Sequence, residues 1–521
     1  MFTSHSIKSI VRRVAQTHAQ IINPYNVPVT LFANSEVVIE AAGIWQLFEF
    51  LSIQTMLKKL WEWQQSQTIK PFWGDSPGVL EAVVLTPDFH KGSGIPVGTV
   101  AQTRGFVIPA AVGNDICCGM RLLLTDLTRD QLQPHLDVLE RRLRAIYFEG
   151  ERNIPMSPRQ REALLRDGLP GLYETREDNG STGLWQFYDS SQQRQDLAKV
   201  HFQGCLKAEN VFAFADYIRA SGSSSGRDSE IGSIGGGNHF VEIQTIKEIF
   251  DGATAHLWGV KPDSVAIMVH TGSVGLGHVV GRHFNELARS LYPSGQPHPS
   301  HDFYVLPFRG PHRAHAQNYL DAMNNAANFA FGNRLFLGLM AVKALTEAVG
   351  RQISTQLVYD APHNLIWKTE GSSDQFLHRK GACPALGANP LIGGPFQYTG
   401  HPVIIPGSMG ASSFLLAGQG NIAALESACH GAGRSLTRGE AIKVDEDKYA
   451  QAIKQLRVVT PIDAKAFSVR SRKDILANYH QRLKEEAPYA YKPISPIVET
   501  VEEAAVAKRV ARLWPLVTVK G

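Results

Sequence analysis

Cysteine is scarce in this chain. Five occur in 521 residues, Cys117, Cys118, Cys205, Cys383 and Cys429. The number is odd and there is no CxxC pair, which excludes a disulfide framework and a zinc-finger array and fits a reducing compartment. An excess of one charge is missing too. Lys and Arg number 52 against 48 Asp and Glu, a formal net charge of +4, so no global basic field advertises nucleic acid, although a local basic groove is compatible with this balance. Long apolar runs are absent as well: residues 51–60 are interrupted by Gln54, Lys58 and Lys59, and no membrane span is expected. No repeating unit is present, which excludes solenoids and propellers. Finally, no acid precedes Glu36, while Lys8, Arg12 and Arg13 stand among apolar and hydroxyl residues. A transit peptide and a short basic surface helix share that texture, and the cytoplasm is the default location.

What is present is ample material for a core, with 43% apolar residues, and a mixture of periodicities that reads as an α+β protein. Leu132, Leu136, Leu139, Leu143 and Ile146 recur at three- and four-residue spacing and predict a helix over 131–147. Further helices are predicted over 319–347 and 501–513. Short apolar runs at 80–85, 265–269, 356–359 and 403–405 read as strands, and each stops at a polar residue beside Gly or Pro: TPDFHKG, HTGS, DAPHN and PGSMG. Strand ends that turn sharply are where a rigid scaffold presents reactive groups, so the repeated grammar suggests one shared site. Charged, Gln-rich and Ser/Gly-rich sequence over 148–227 reads as a polar surface excursion with a flexible exit. A single large domain over 29–521, preceded by a basic extension over 1–28, is the expected organisation.

Taken singly, the candidate site residues are ambiguous. His239 lies in IGSIGGGNHFVEIQ, which suits an anion or nucleotide cradle but equally a plain loop. His270 in VHTGS and His363 in DAPHN end buried strands, where a satisfied core side chain is commoner than a ligand. His278 has nothing to distinguish it. GNDICCGMR sets Asp115 and Cys118 in a compact turn; a thiolate, a carboxylate and several imidazoles form a fitting set for a borderline divalent metal. His430, in ACHGAGR, has small neighbours and Arg434 close behind, which suits an imidazole meeting a phosphate and equally a surface histidine in a turn.

Together, these segments and their order resemble the RtcB family of RNA ligases. The resemblance runs through TPDFHKGSGIPVGTV, GNDICCGMRLL, GGGNHFVEIQ, HTGSVGLGH, NYLDAMNNAANFAFGNR, APHNLIWK, PGSMGASSFLLAG, CHGAGRSLTR, EEAPYAYK and the terminal KG. It implies two manganese ions, one held by Asp115, Cys118 and His239 and the other by Cys118, His270 and His363. It also implies GTP as cosubstrate, with His430 carrying the guanylate. Asn238, His239, Phe240, Val241, Glu242, His363, Asn364, Pro406, Gly407, Ser408, Met409, Ser413, Gly431, Ala432, Gly433 and Lys520 match the family's guanylate-contacting positions, and Arg434 is placed to touch RNA or phosphate.

The implied activity joins RNA ends bearing a 3′-phosphate or 2′,3′-cyclic phosphate to 5′-hydroxyl ends, in tRNA splicing or RNA repair, with an archease-like activator as a further partner. Asp88 and His90 fall in a family block as orienting or catalytic groups, and Arg334 as a structural group or an RNA contact. Three departures bear on substrate handling. Val274 replaces the family's arginine, SGSSSGRDSEIGS replaces a more basic lead-in, and residues 311–315 are less acidic than usual. They leave two other activities in view: a metal-dependent phosphodiesterase or phosphatase acting on RNA ends, and a noncatalytic RNA-binding paralogue.

Overall fold

The computed structural model describes residues 9–178, 180–212, 214–219 and 230–521. The exit expected at 221–227 lies outside them. Among the described residues, two large sheets carry the fold. The eight-stranded sheet runs Thr355–Pro362, Gly119–Thr128, Ser264–Thr271, Phe240–Ile249, Ala507–Val519, Ser413–Gly418, Pro402–Ile405, with Val458–Val459 alongside Ala507–Val519. Its interior strands are apolar on both faces because both are covered. Along Ser264–Thr271, Val265, Ile267 and Val269 enter one core cluster while Ala266 and Met268 enter another, as period-two side chains must.

Register does the assembling. Pro362 pairs with Gly119, Gly119 with Thr271, His270 with Phe240, and Val241 with Val519. The residues just outside these pairs, His363, Cys118, His239 and Lys520, therefore gather with His270 at one end of the sheet.

The seven-stranded sheet, ordered Val11–Arg13, His18–Ile21, Val29–Phe32, Val79–His90, Val97–Arg104, Gln375–Lys380, Asn364–Lys368, meets this end. The chain leaves the first sheet at Pro362 and enters the second at Asn364, and Val79–His90 delivers Asp88 and His90. A ribbon of Ala382–Pro384 with Ser427–Cys429 then sets His430 beside Gly381. Residues 11–21, read from sequence as part of a basic extension, form the edge of this second sheet.

Three sequence expectations need correction. Residues 501–513 are not one helix: helix Ile494–Glu503 ends, and Ala507–Val519 is a strand bonded between Phe240–Ile249 and Ser413–Gly418. Two waiting partners override a local pattern that fits either state. The segment after 148 is not a surface excursion. Helix Pro158–Glu174, begun by a Ser157–Gln160 capping box, buries Leu164, Leu165, Leu169 and Leu172, and Trp185 stacks edge-on to Phe336. Polar neighbours had diluted that apolar stripe in the composition.

Lastly, helix Gly310–Val349 does reach the length and mean hydropathy of a membrane span, and 89% of its most apolar stretch is buried within the protein. Alanine and glycine among its larger apolar residues hid this in the sequence. Its asparagines bind the backbone of neighbouring segments. Asn328 accepts from the Leu206 N–H (2.8 Å) and donates to Leu165 O (3.0 Å) and Leu206 O (2.9 Å).

Candidate functional site

At the shared sheet end, Cys118 Sγ lies 3.2 Å from His239 Nε2 and 3.2 Å from His270 Nε2. His239 Nε2 is 3.0 Å from Asp115 Oδ2, and His270 Nε2 is 3.3 Å from His363 Nε2. Cys118, His239, His270 and His363 are all buried. The His239 Nδ1–H donates to Ile234 O at 3.1 Å, which leaves the Nε2 lone pair free to face the cluster. Gly272 makes the close packing possible, since a Cβ there would stand 2.4 Å from Asp115 Oδ1.

His430 flanks this cluster, its ring centroid 4.6 Å from that of His363. Its Nδ1–H donates to Asp88 Oδ2 at 2.7 Å. Asp88 is fully buried. Burial pushes its carboxyl pKa up, but the hydrogen bond and charge of His430, with Thr86, outweigh that and lower it. Of the two roles left open for Asp88, orienting a neighbour is the one the geometry displays, and the other His430 nitrogen, Nε2, is not used by this bond. His90 is anchored through Nδ1 to Asp88 O at 2.7 Å. Gly381, at φ +63°, gives the His430 ring its room: a Cβ would lie 2.9 Å from Cε1 and 3.0 Å from Nδ1.

Both groups open into a cavity of about 460 Å³. Of the residues expected there, Asn238, Phe240, Asn364, Pro406, Gly407, Ser408, Met409, Gly431, Ala432, Gly433, Arg434 and Lys520 line it together with Asp115, Cys118, His270, His363 and His430. Val241, Glu242 and Ser413 lie beneath the wall instead. Glu242 accepts from Thr518 Oγ1 and Gln244 Nε2, Gln244 reaches Ser413 Oγ at 3.0 Å, and burial pushes the Glu242 carboxyl up to about 7. Lys520 is tied to Gly237 O at 2.7 Å; burial lowers its pKa, against the pull of Glu486 and Glu242.

Arg434, expected to touch RNA or phosphate, lines the cavity with much of its guanidinium already engaged. It donates to Leu436 O, Glu485 O, Glu486 and the Tyr491 hydroxyl, so most of its donors are committed. Val274 is half-buried at φ +40° against Gly235, off the cavity, and His278 is exposed on the same helix.

Sequence reasoning missed Lys91, Lys380, Thr437, Arg438, Glu486 and Tyr491 in the lining. The family blocks held a signal for five of them, Lys91 in TPDFHKG, Thr437 and Arg438 in CHGAGRSLTR, and Glu486 and Tyr491 in EEAPYAYK. Lys380 carried only the weaker one of ending a strand beside glycine; it is buried, donates to Ser93 O and Val112 O, and has its pKa lowered by burial to about 8.

The histidines dictate a pH response. Burial holds His270 and His363 well below the ordinary value of 6.5, His90 and His401 at about 4, and His378 at about 3. Below 6.5 the unfolded chain binds protons that these buried rings refuse. Stability contributed by these rings is therefore fully present above pH 6.5 and is lost as the pH drops toward 4. Urea titrations of the chelator-treated protein between pH 7.5 and 5 are expected to show a steep decline; a flat profile would mean that the rings are protonated in the folded state.

The donor set fits a divalent cation. Neutral imidazoles converge on a thiol, and the Nδ1 atoms of His270 and His363 have no partner among the described residues. Burial and the Asp115 carboxylate raise the Cys118 pKa well above the usual thiol value, a balance that a cation beside the sulfur reverses.

Fold and site thus define a class: an α+β protein whose buried cysteine–histidine centre opens, beside an oriented histidine, into a ligand-sized cavity. Residues 74–521 match the family model described as tRNA-splicing ligase RtcB. The tRNA-splicing ligase RtcB of Thermococcus kodakarensis is 32% identical over 464 residues, covering 85% of this chain and 89% of that one. The RNA-splicing ligase RtcB of Mycobacterium bovis is 31% identical over 471 residues, covering 85% and 98%. RNA-splicing ligase RtcB homolog 2 of Entamoeba dispar is 32% identical over 466 residues, covering 85% and 81%. The chain belongs to the RtcB family of RNA-splicing ligases.

Proposed function

We propose that this protein is a GTP- and manganese-dependent RNA ligase that joins 3′-phosphate or 2′,3′-cyclic phosphate ends to 5′-hydroxyl ends through a guanylate carried on His430. The observation that carries the reading is the Asp88–His430 pair at 2.7 Å, set against the cysteine–histidine cluster at the wall of a nucleotide-sized cavity. The Nδ1–H to carboxylate bond holds the ring in the tautomer whose Nε2 lone pair is available, as a nucleophile requires.

His430 Nε2 attacks the α-phosphorus of GTP; the Nε2–P bond forms, the bond to the β-phosphate oxygen breaks, and pyrophosphate leaves. An oxygen of the RNA 3′-phosphate then attacks the same phosphorus, and the N–P electron pair returns to Nε2. Attack of the 5′-hydroxyl oxygen on the RNA phosphate expels GMP and leaves a phosphodiester. Asp115, Cys118 and His239 would hold one cation and Cys118, His270 and His363 the second, and bound cations supply charge neutralisation at the phosphate oxygens. Lys520 and Lys380 add fixed positive charge to the same cavity.

The test is incubation with manganese and GTP labelled at the α-phosphate, followed by RNA with 3′-phosphate and 5′-hydroxyl ends. An acid-labile protein adduct, absent in His430→Ala, and a sealed product are expected. No adduct in the native protein sinks the reading, whereas cleaved or dephosphorylated RNA without sealing supports a phosphodiesterase or phosphatase.

A further inference from the structure

Two consecutive residues of the long helix touch every loop that carries a ligand in the Cys118–His239–His270 cluster. Asn333 Oδ1 accepts from the Gly232 N–H at 2.8 Å and the Ser233 N–H at 3.1 Å, in the lead-in to His239, and its Nδ2 donates to Ser233 O at 2.9 Å and to Gly272 O at 3.2 Å, just past His270. Arg334 Nη1 donates to Cys117 O at 2.7 Å and Thr271 O at 3.1 Å, the carbonyls beside Cys118 and His270. Its Nε bonds Asp360 Oδ1 at 2.8 Å, on the strand that leads into His363, and Arg121 holds the other oxygen of Asp360 at 3.1 Å. Asn333, Arg334 and Asp360 have no solvent exposure, so Arg334 reaches no RNA.

We infer that Asn333 and Arg334 are the positioning residues of the cation centre: they set the spacing of Cys118, His239 and His270 by clamping the three backbones, and so determine how tightly a divalent ion is held. A buried guanidinium needs more acceptors than one carboxylate supplies, and here the remainder are carbonyls of the ligand turns. Asn333 performs the complementary task of satisfying both donors and acceptors of the glycine-rich turn. Partners one step behind metal ligands commonly alter affinity by about 10- to 100-fold when lost. The inference rests on the cation reading above.

The test titrates the purified full chain with cobalt(II), following thiolate-to-cobalt absorption and chelator competition, alongside urea unfolding. Asn333→Ala and Arg334→Lys are each expected to weaken cobalt binding by about 10- to 100-fold and to change the absorption, the lysine keeping charge beside Asp360 without the planar fork. Asn328→Ala is the control, since Asn328 is equally buried on the same helix but binds the backbone of Leu165 and Leu206. It should lose stability while keeping wild-type affinity and spectrum. The inference is overturned if Asn328→Ala weakens cobalt binding as much, or if both site variants bind as the native protein does. A native protein with no thiolate–cobalt band overturns the cation reading itself, a different result from either.

Discussion

Asp88→Asn is expected to slow formation of the His430 adduct by about three orders of magnitude while leaving the protein folded. The isosteric amide fills the same buried space, so urea unfolding should move little by comparison. Its NH₂ would donate toward Nδ1, however, and favour the tautomer with the proton on Nε2, the atom that must attack. Reversal of a histidine tautomer by this substitution costs about 10⁴-fold in the serine-protease triad, and the 2.7 Å Asp88–His430 bond places the same logic here. The rate of label transfer from GTP, measured against unfolding free energy, decides it. Labelling at the native rate would mean that Asp88 only fills space between Thr86 and the His430 turn.

The second large effect separates two adjacent cysteines. Cys118→Ala removes the sulfur that lies 3.2 Å from two imidazoles, and cation affinity should fall by more than the about 10- to 100-fold that loss of an outer partner costs. Cys117→Ala should keep the cation. Its side chain is buried away from the cluster, 3.8 Å from Arg334 Nη2, and burial pushes its thiol up to about 11, so the loss is a small packing defect of about 1 kcal/mol. Cobalt titration reads both variants directly. If Cys117→Ala abolished thiolate absorption and Cys118→Ala did not, the assignment of the bridging sulfur would be reversed.

The cluster was legible through the order of its motifs, which resemble the RtcB family; taken singly its members were ambiguous, although they sit near turns marked by glycine or proline, and a turn that must place a side chain beside a neighbour's backbone leaves that mark in local sequence. Asp115, Cys118, His239, His270 and His363 all carry it. Asp88 did not announce its task, since the link between residues 88 and 430 exists only after one sheet has packed against the other. Lys380 was hidden for the same reason. Arg334 stood in a motif whose polar residues suggest a surface, yet it lies in the interior and its donors end on carbonyls, a role that no pattern of side-chain types encodes. Residues 507–513 were misread because alternation and helical spacing both fit AKRVARL, and only the two neighbouring strands decide between them.

The eight-stranded sheet has a bearing on how this protein reaches its native state. Its pairings of Gly119 with Pro362 and Ala511 with Ile249 join parts of the chain remote in sequence, so folding is governed by loop closure and is slow. A fragment lacking any one of Gly119–Thr128, Phe240–Ile249, Ser264–Thr271 and Thr355–Pro362 loses part of the ligand set. A cation centre whose ligands come from four such parts would bind cations in the finished fold and not in the open chain, and would thereby shift the folding equilibrium in proportion to the logarithm of the free cation concentration. The melting temperature of this protein should then report the cation supply around it, and metal availability would set how much folded protein exists as well as how fast it works.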